Sequence, residues 1–183
     1  MDILQTLLIA LAIFLVIYVL IVRPFQVNGQ SMFPTFHNGQ YVLTNLIGYE
    51  DVFGLKFKFG TPKKGDVVVF VSPTNEEKDY IKRIVGLPGD AVSINNGDVY
   101  VNGKKLDESA YLSPEIKTYG QNFLHEGETV SIKENEYFVM GDNRPFSSDS
   151  RDFGPITKDS IIGLSWIVYW PIPDFRVVKN PFE

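Results

Sequence analysis

Two side chains of this sequence become reactive only as a pair. Ser31, within Gly29-Gln30-Ser31-Met32-Phe33-Pro34-Thr35, carries a hydroxyl that is a poor nucleophile until a positioned base takes its proton. Histidine is the usual base, and the chain has two, His37 and His125. No sequence feature orients either, and both read as solvent-facing or hydrogen-bonding side chains. Lysine can replace histidine if its pKa falls from about 10.4 towards 7 or 8, because otherwise roughly 0.04% is neutral at pH 7. Desolvation produces that fall. Lys82 lies in Asp79-Tyr80-Ile81-Lys82-Arg83-Ile84-Val85-Gly86, where two-residue alternation places it on a strand face between Tyr80 and Ile84. The other lysines mostly fall in polar or turn contexts, such as Lys63-Lys64 and Lys104-Lys105, so Lys82 is the best candidate for a buried amine. Each residue also has a plain reading. Single strand lysines commonly snorkel at a sheet edge, and a serine in a turn commonly caps the next element.

The surroundings of Ser31 suggest what it would act on. The Gly-x-Ser-x-Gly elbow is not matched, because Phe33 stands where the second glycine would be. Gly29 lets backbone pass close to a ligand, and Met32, Phe33 and Phe36 are apolar, which favours an extended, apolar peptide. A third dense segment runs from Gly141 to Gly154. Alternate positions from Asp142 include Arg144 and Phe146, with no glycine where a calcium loop needs one, so no metal is expected. It reads as a polar loop whose hydroxyls and Asp149/Arg151 ion pair hold neighbouring groups in place.

The elements that would position these groups are mostly strands. Short runs rich in β-branched and aromatic residues alternate with Gly, Pro, Asn and Asp: 41–44, 66–71, 80–85, 91–94, 99–101, 129–132, 137–140 and 161–168. That pattern predicts a mainly β fold. Asn102-Gly103 between Val99-Tyr100-Val101 and Lys104-Lys105-Leu106 predicts a two-residue hairpin turn. Residues 107–127 lack a sustained period and predict a loop-rich excursion. At the N-terminus, Ile3 to Val22 is an apolar run long enough to cross a hydrocarbon core of roughly 30 Å as a helix. Arg23-Pro24-Phe25 follows it in place of the small residues of a cleavage site, so the run is expected to stay as an anchor. The division expected is an anchor over 1–23 and a catalytic domain over 24–183, with about 91–135 as a small secondary lobe.

Composition narrows the classes further. In 183 residues, 44% hydrophobic and 21% charged side chains describe a chain with one sizeable core. A net charge of -5 without a basic cluster excludes nucleic acid as a partner. There is no cysteine, so thiol nucleophiles, disulfides and Cys-ligated zinc are excluded, and no cofactor is expected.

Taken in order, Ser31 to Thr35, Gly65 to Phe70, Lys82 to Asp90 and Gly141 to Gly154 after one apolar anchor resemble the boxes of bacterial type I signal peptidases, of the shorter Gram-positive kind. The resemblance implies a largely β catalytic domain outside the cytoplasmic membrane, with the N-terminus cytoplasmic. This overrides the weak cytoplasmic pull of Arg23 on the C-terminal flank. It implies removal of signal peptides from exported preproteins after small residues, of the Ala-x-Ala type. On that likeness Ser31 is the nucleophile and Lys82 the general base, Ser147 orients the lysine, and Asp149 with Arg151 forms a supporting pair. Val27, Met32, Phe36, Tyr80 and Ile81 are similar to positions lining the pockets for the small residues. The Ser31 N–H would donate to the oxyanion, and Gly29 stands where some members carry a second, hydroxyl donor. The partners implied are signal peptides and the lipid bilayer, with lipid contact expected near Phe33 and Phe36.

Two rival readings remain at this level. A catalytically silent, membrane-anchored relative that assists surface-fibre assembly would typically lack the serine or the lysine, and both are present. A self-cleaving Ser/Lys repressor-type protease would carry a DNA-binding N-terminus where Ile3 to Val22 stands.

Overall fold

A computed structural model of the protein describes residues 3–20, 22–46 and 61–183. The first element is helix α1, Ile3–Leu20, whose sequence is apolar apart from Gln5 and Thr6. It is 18 residues long, about 27 Å at 1.5 Å per residue. Among the described residues no helix is long and apolar enough to cross a membrane. The apolar run to Val22 therefore does not form one continuous helix as expected. It ends at Leu20, and Val22 already belongs to strand β1, Val22–Gln26. A β-branched residue followed two positions later by Pro24 explains the change, since proline disfavours helix at the residue before it.

The remaining strands are β2 (Tyr41–Asn45), β3 (Val67–Ser72), β4 (Asn75–Gly86), β5 (Ala91–Asn95), β6 (Asp98–Val101), β7 (Lys104–Lys105), β8 (Thr129–Ser131), β9 (Glu136–Met140), β10 (Ile156–Thr157), β11 (Ile161–Trp170) and β12 (Arg176–Val177). A four-residue helix α2, Ser150–Phe153, lies between β9 and β10. The eight expected strand runs all form strands. The larger sheet is antiparallel in the order β1-β2-β11-β3-β4-β9-β10, with β12 on β11. The smaller sheet runs β7-β6-β5-β8. Its β6-β7 hairpin turns at Asn102 and Gly103, both at positive φ, as the Asn-Gly pair predicts. The same chemistry recurs at Asn96-Gly97 between β5 and β6.

One apolar cluster ties the two sheets together, and others fill the large one. Val85, Phe138 and Met140 of the large sheet pack with Val92, Ile94, Val99 and Val101 of the small one. Val68, Phe70, Ile84, Val139 and Ile161 fill the centre of the large sheet. Val27, Met32, Phe36, Val42, Val67 and Val168 pack beneath the turn that carries Ser31. The 107–127 segment forms turns without helix or strand, and is fastened by side chains. The Arg83 guanidinium stacks 4.3 Å from the Tyr111 ring centre, and Arg144 pairs with Glu108.

Candidate active site

β4 is hydrogen-bonded to β3 along Tyr80 to Arg83, and to β9 only from Arg83 onward. Among the described residues the second edge of β4 before Arg83 has no strand partner. β1 is likewise the terminal strand of the sheet. Between them lies a cleft of about 720 Å³ lined by residues 24–28, Ser31, Val42, Val69, residues 77–82 and Ser148. Ser31 and Lys82 meet at this cleft. The Lys82 Nζ donates to Ser31 Oγ at 2.8 Å and to the Ile81 carbonyl at 3.0 Å.

Lys82 is 4% exposed, so it is not a snorkelling edge lysine. Burial lowers its pKa to about 8, against a smaller upward pull from the Asp149 and Asp142 carboxylates. At that value about a tenth of the amine is neutral at pH 7, some hundreds of times more than for a solvated lysine. The Tyr80 ring stands 5.2 Å from the amine.

Ser31 sits in a tight turn closed by Phe33 N–H to the Gln30 carbonyl and Phe36 N–H to the Met32 carbonyl. The 141–143 segment grips the turn from the other side. Asn143 donates its N–H to the Ser31 carbonyl at 2.9 Å and its side-chain amide to the Gln30 carbonyl at 3.0 Å. Gly141 is pressed so close that an added Cβ would collide with Ser147 Oγ and the Ser31 carbonyl oxygen.

Asp149 caps α2 and forms a fork with Arg151, whose Nε and Nη2 each donate at 2.8 Å to one carboxylate oxygen. Burial pushes the Asp149 carboxyl up, but Arg151 and the Gly141 N–H together outweigh it and hold it below the usual carboxylate range. Ser147 is buried between these groups and Gly141. Its Oγ makes no hydrogen bond among the described residues, and it does not contact Lys82 through one.

The expected pocket residues divide. Val27, Tyr80 and Ile81 line the cleft. Met32 and Phe36 do not, because they are buried in the cluster below, where they support Val27 and Ile81 from behind. Of the expected lipid-facing pair, Phe33 is exposed and Phe36 is fully buried. His37 packs its ring edge-on to Phe33 at 5.2 Å and makes no contact with the Ser31 hydroxyl.

Sequence reasoning overlooked Arg83 and Asp142. Arg83 is 2% exposed and forks onto Asp142 through Nε at 2.9 Å and Nη2 at 2.7 Å. An arginine inside an apolar strand signals a buried carboxylate partner, and Asp142 begins the polar segment that supplies it. Gln26 at the cleft was also missed, because β1 was not read as a strand, and so were Glu77 and Asp79, which lie in the polar first half of β4, before the run that was read as a strand.

Likeness to known proteins identifies the family. The family model described as signal peptidase, peptidase S26, matches residues 1–170. Signal peptidase IB of Staphylococcus aureus strain MRSA252 is 39% identical over 184 residues, covering 94% of this chain and 91% of its own. Signal peptidase I S of Bacillus subtilis strain 168 is 37% identical over 176 residues, covering 94% and 90%. A crystal structure of a signal peptidase I from Enterococcus faecalis V583 is 33% identical, covers 57% of this chain and 97% of its own, and has a TM-score of 0.47. With a family match over nearly the whole length and relatives of this identity and coverage, the chain belongs to the signal peptidase family, peptidase S26, and is an enzyme of the signal peptidase I kind.

Proposed function

We propose that this enzyme removes signal peptides from preproteins by a Ser31/Lys82 dyad, cutting after small residues while α1 holds it to the bilayer. The observation that carries the reading is the 2.8 Å contact between a serine hydroxyl and a buried amine with a depressed pKa. The neutral fraction of Lys82 accepts the Ser31 proton as Oγ attacks the scissile carbonyl carbon. The Ser31 N–H donates to the resulting oxyanion. As the carbonyl reforms and the C–N bond breaks, the Lys82 ammonium protonates the departing amine, and the mature chain leaves. Water then gives a proton to Lys82 and attacks the acyl carbon. Collapse returns the proton to Ser31 Oγ and frees the signal peptide as a carboxylic acid. Ser147 supports this cycle: its unpartnered Oγ is an acceptor for the ammonium, with Asp149 and Arg151 fixing the backbone around it.

The two strand edges beside the cleft that have no strand partner among the described residues suit a substrate that adds as an extended strand, with main-chain hydrogen bonds setting its register. Walls of Val27, Tyr80 and Ile81 backed by Met32 and Phe36 leave room for alanine and exclude bulk. For the anchor, the support is a helix whose described side chains are exposed from Ile3 to Leu15 and, apart from Gln5 and Thr6, apolar. A span of about 27 Å falls slightly short of a typical core, a mismatch that local thinning of the bilayer absorbs. The N-terminus is placed in the cytoplasm and the β domain outside.

The test is cleavage of a preprotein with an Ala-x-Ala site by wild type, Ser31→Ala and Lys82→Ala in lipid, with product termini read by mass. Cutting directly after the final alanine by wild type alone is expected. Activity retained by either variant sinks the dyad. Flotation of wild type with vesicles, lost on removal of residues 1–20, tests the anchor.

A further inference from the structure

The C-terminal tail reaches back to the nucleophile turn from the side opposite the cleft. β12 hydrogen-bonds to β11 with Val168 opposite Arg176, which brings the guanidinium under the 31–36 turn. Arg176 Nη2 donates to the Thr35 carbonyl at 2.5 Å and to Gln40 Oε1 at 3.1 Å, while Nη1 donates to the Asp174 carbonyl at 3.0 Å. Gln40 is buried and answers in kind, its Nε2 donating to Asp174 Oδ2 at 2.6 Å. The same glutamine accepts from the His37 N–H at 3.0 Å, and its carbonyl accepts from the Val27 N–H at 2.8 Å. Thr35 in turn donates its hydroxyl to Asp142, the partner of Arg83, at 2.5 Å.

The turn bearing Ser31 is thus held at both ends by different parts of the chain. Asn143 grips Gln30 and Ser31 at its start, and Arg176 grips Thr35 at its end. The start of the turn is fixed from the large sheet. Its end is fixed by Phe36, buried in the cluster beneath, and by Thr35, whose hydroxyl goes to Asp142 and whose carbonyl goes to the tail.

We infer that Arg176, braced by Asp174 and Gln40, is a positioning residue for the nucleophile: it sets the pitch of the 31–36 turn and so the direction in which Ser31 Oγ meets Lys82. This rests on the proposed dyad. The guanidinium touches neither substrate nor the reacting atoms. It acts through a backbone carbonyl four residues from Ser31, and misdirection of an attacking atom by even 1 Å lowers rate on the order of 100-fold. Its effect therefore falls on kcat. The walls of the cleft at Tyr80 and Ile81 belong to β4, to which Arg176 makes no hydrogen bond among the described residues, and only Val27 is linked to it, indirectly through Gln40, so the change in substrate affinity is the smaller effect.

The experiment compares the full-length enzyme in lipid with its Arg176→Ala and Arg176→Lys variants on an Ala-x-Ala peptide, measuring kcat, KM and thermal midpoint across pH. The expected result is a loss of kcat on the order of 10- to 100-fold in Arg176→Ala, with KM changed less than about twofold. The pH midpoint stays where it is in wild type, since the environment of Lys82 is unaltered. Arg176→Lys recovers part of the loss, and millimolar guanidinium restores Arg176→Ala more than equal sodium chloride does. Unchanged kcat overturns the inference, as does a loss matched by a fall in folded protein with no guanidinium rescue. Wild type and Ser31→Ala serve as controls. Cleavage that persists in Ser31→Ala removes the dyad itself, whereas Ser31-dependent cleavage indifferent to Arg176 removes only the brace.

Discussion

Lys82 and Arg83 are consecutive residues of one strand, both almost wholly buried, yet only the arginine has a carboxylate partner. Alternation sends them to opposite faces, Lys82 to the Ser31 hydroxyl and Arg83 to the Asp142 fork. One burial event therefore yields two electrostatic outcomes. Arg83 is a fixed cation compensated at short range. Lys82 keeps the desolvation penalty and titrates near neutrality as a result.

The first prediction is the pH profile. On the proposed dyad cleavage requires the neutral amine, so kcat/KM is expected to rise about tenfold per pH unit at low pH and to level off above about 8, the value burial imposes on Lys82. Initial rates on a peptide without titratable side chains, from pH 5.5 to 9.5, read this directly. A plateau already reached at pH 6 would contradict it.

The second concerns stability. The folded pKa of Lys82 is depressed, so the charged form is penalised by folding at every pH where it is held, about 3 kcal/mol below pH 8. Between about 8 and 10.5 the folded state has lost the proton and the unfolded state retains it, so stability rises with pH. Lys82→Met, of similar volume, removes the penalty. Denaturant unfolding should show the inactive variant more stable than wild type at pH 7, with the difference shrinking towards pH 10.

Gly141 gives the third. A methyl group there has no room between Ser147 Oγ and the Ser31 carbonyl, so Gly141→Ala must displace one of them. The expected outcome is a loss of kcat of about 100-fold or more with a modest drop in melting temperature. A fully active Gly141→Ala enzyme would mean that the segment is slacker than its packing indicates.

The fourth is acid sensitivity. Asp149 titrates below its unfolded value, so the stability it contributes is present above about pH 4 and is lost as pH falls through the folded value. Arg151→Ala leaves that carboxylate buried without its cation, held only by backbone N–H groups, at a cost of about 3 kcal/mol. Urea midpoints of wild type and variant at pH 7 and pH 3 test this, with the gap between them narrowing in acid.

Much of this was legible from periodicity. Runs such as Val67 to Val71 and Ile81 to Val85 alternate or stay apolar over strand lengths, and the Asn102-Gly103 turn carries its own signature. Three parts were not legible, for identifiable reasons. β1 was hidden because its first residue closes an unbroken apolar run, and hydrophobicity alone does not mark where helix gives way to strand. The family resemblance gives Met32 and Phe36 as pocket walls, whereas the turn sends every fourth side chain, Met32, Phe36 and Gln40, inward. The hold of Arg176 on Thr35 spans 141 positions, and no local pattern encodes a contact of that range.

The chain contains no cysteine, yet the backbone behind the active site is cross-linked. Arg83 with Asp142 and Arg144 with Glu108 are guanidinium–carboxylate forks that tie the 142–144 segment to distant parts of the chain, and Arg151 with Asp149 makes a third fork within the segment that follows. They do the work that covalent bridges do in many proteins exposed to oxidising surroundings. Ionic rivets of this kind need no oxidant to form and no isomerase to sort. The enzyme can therefore mature wherever its domain folds, and thiol reagents leave it untouched.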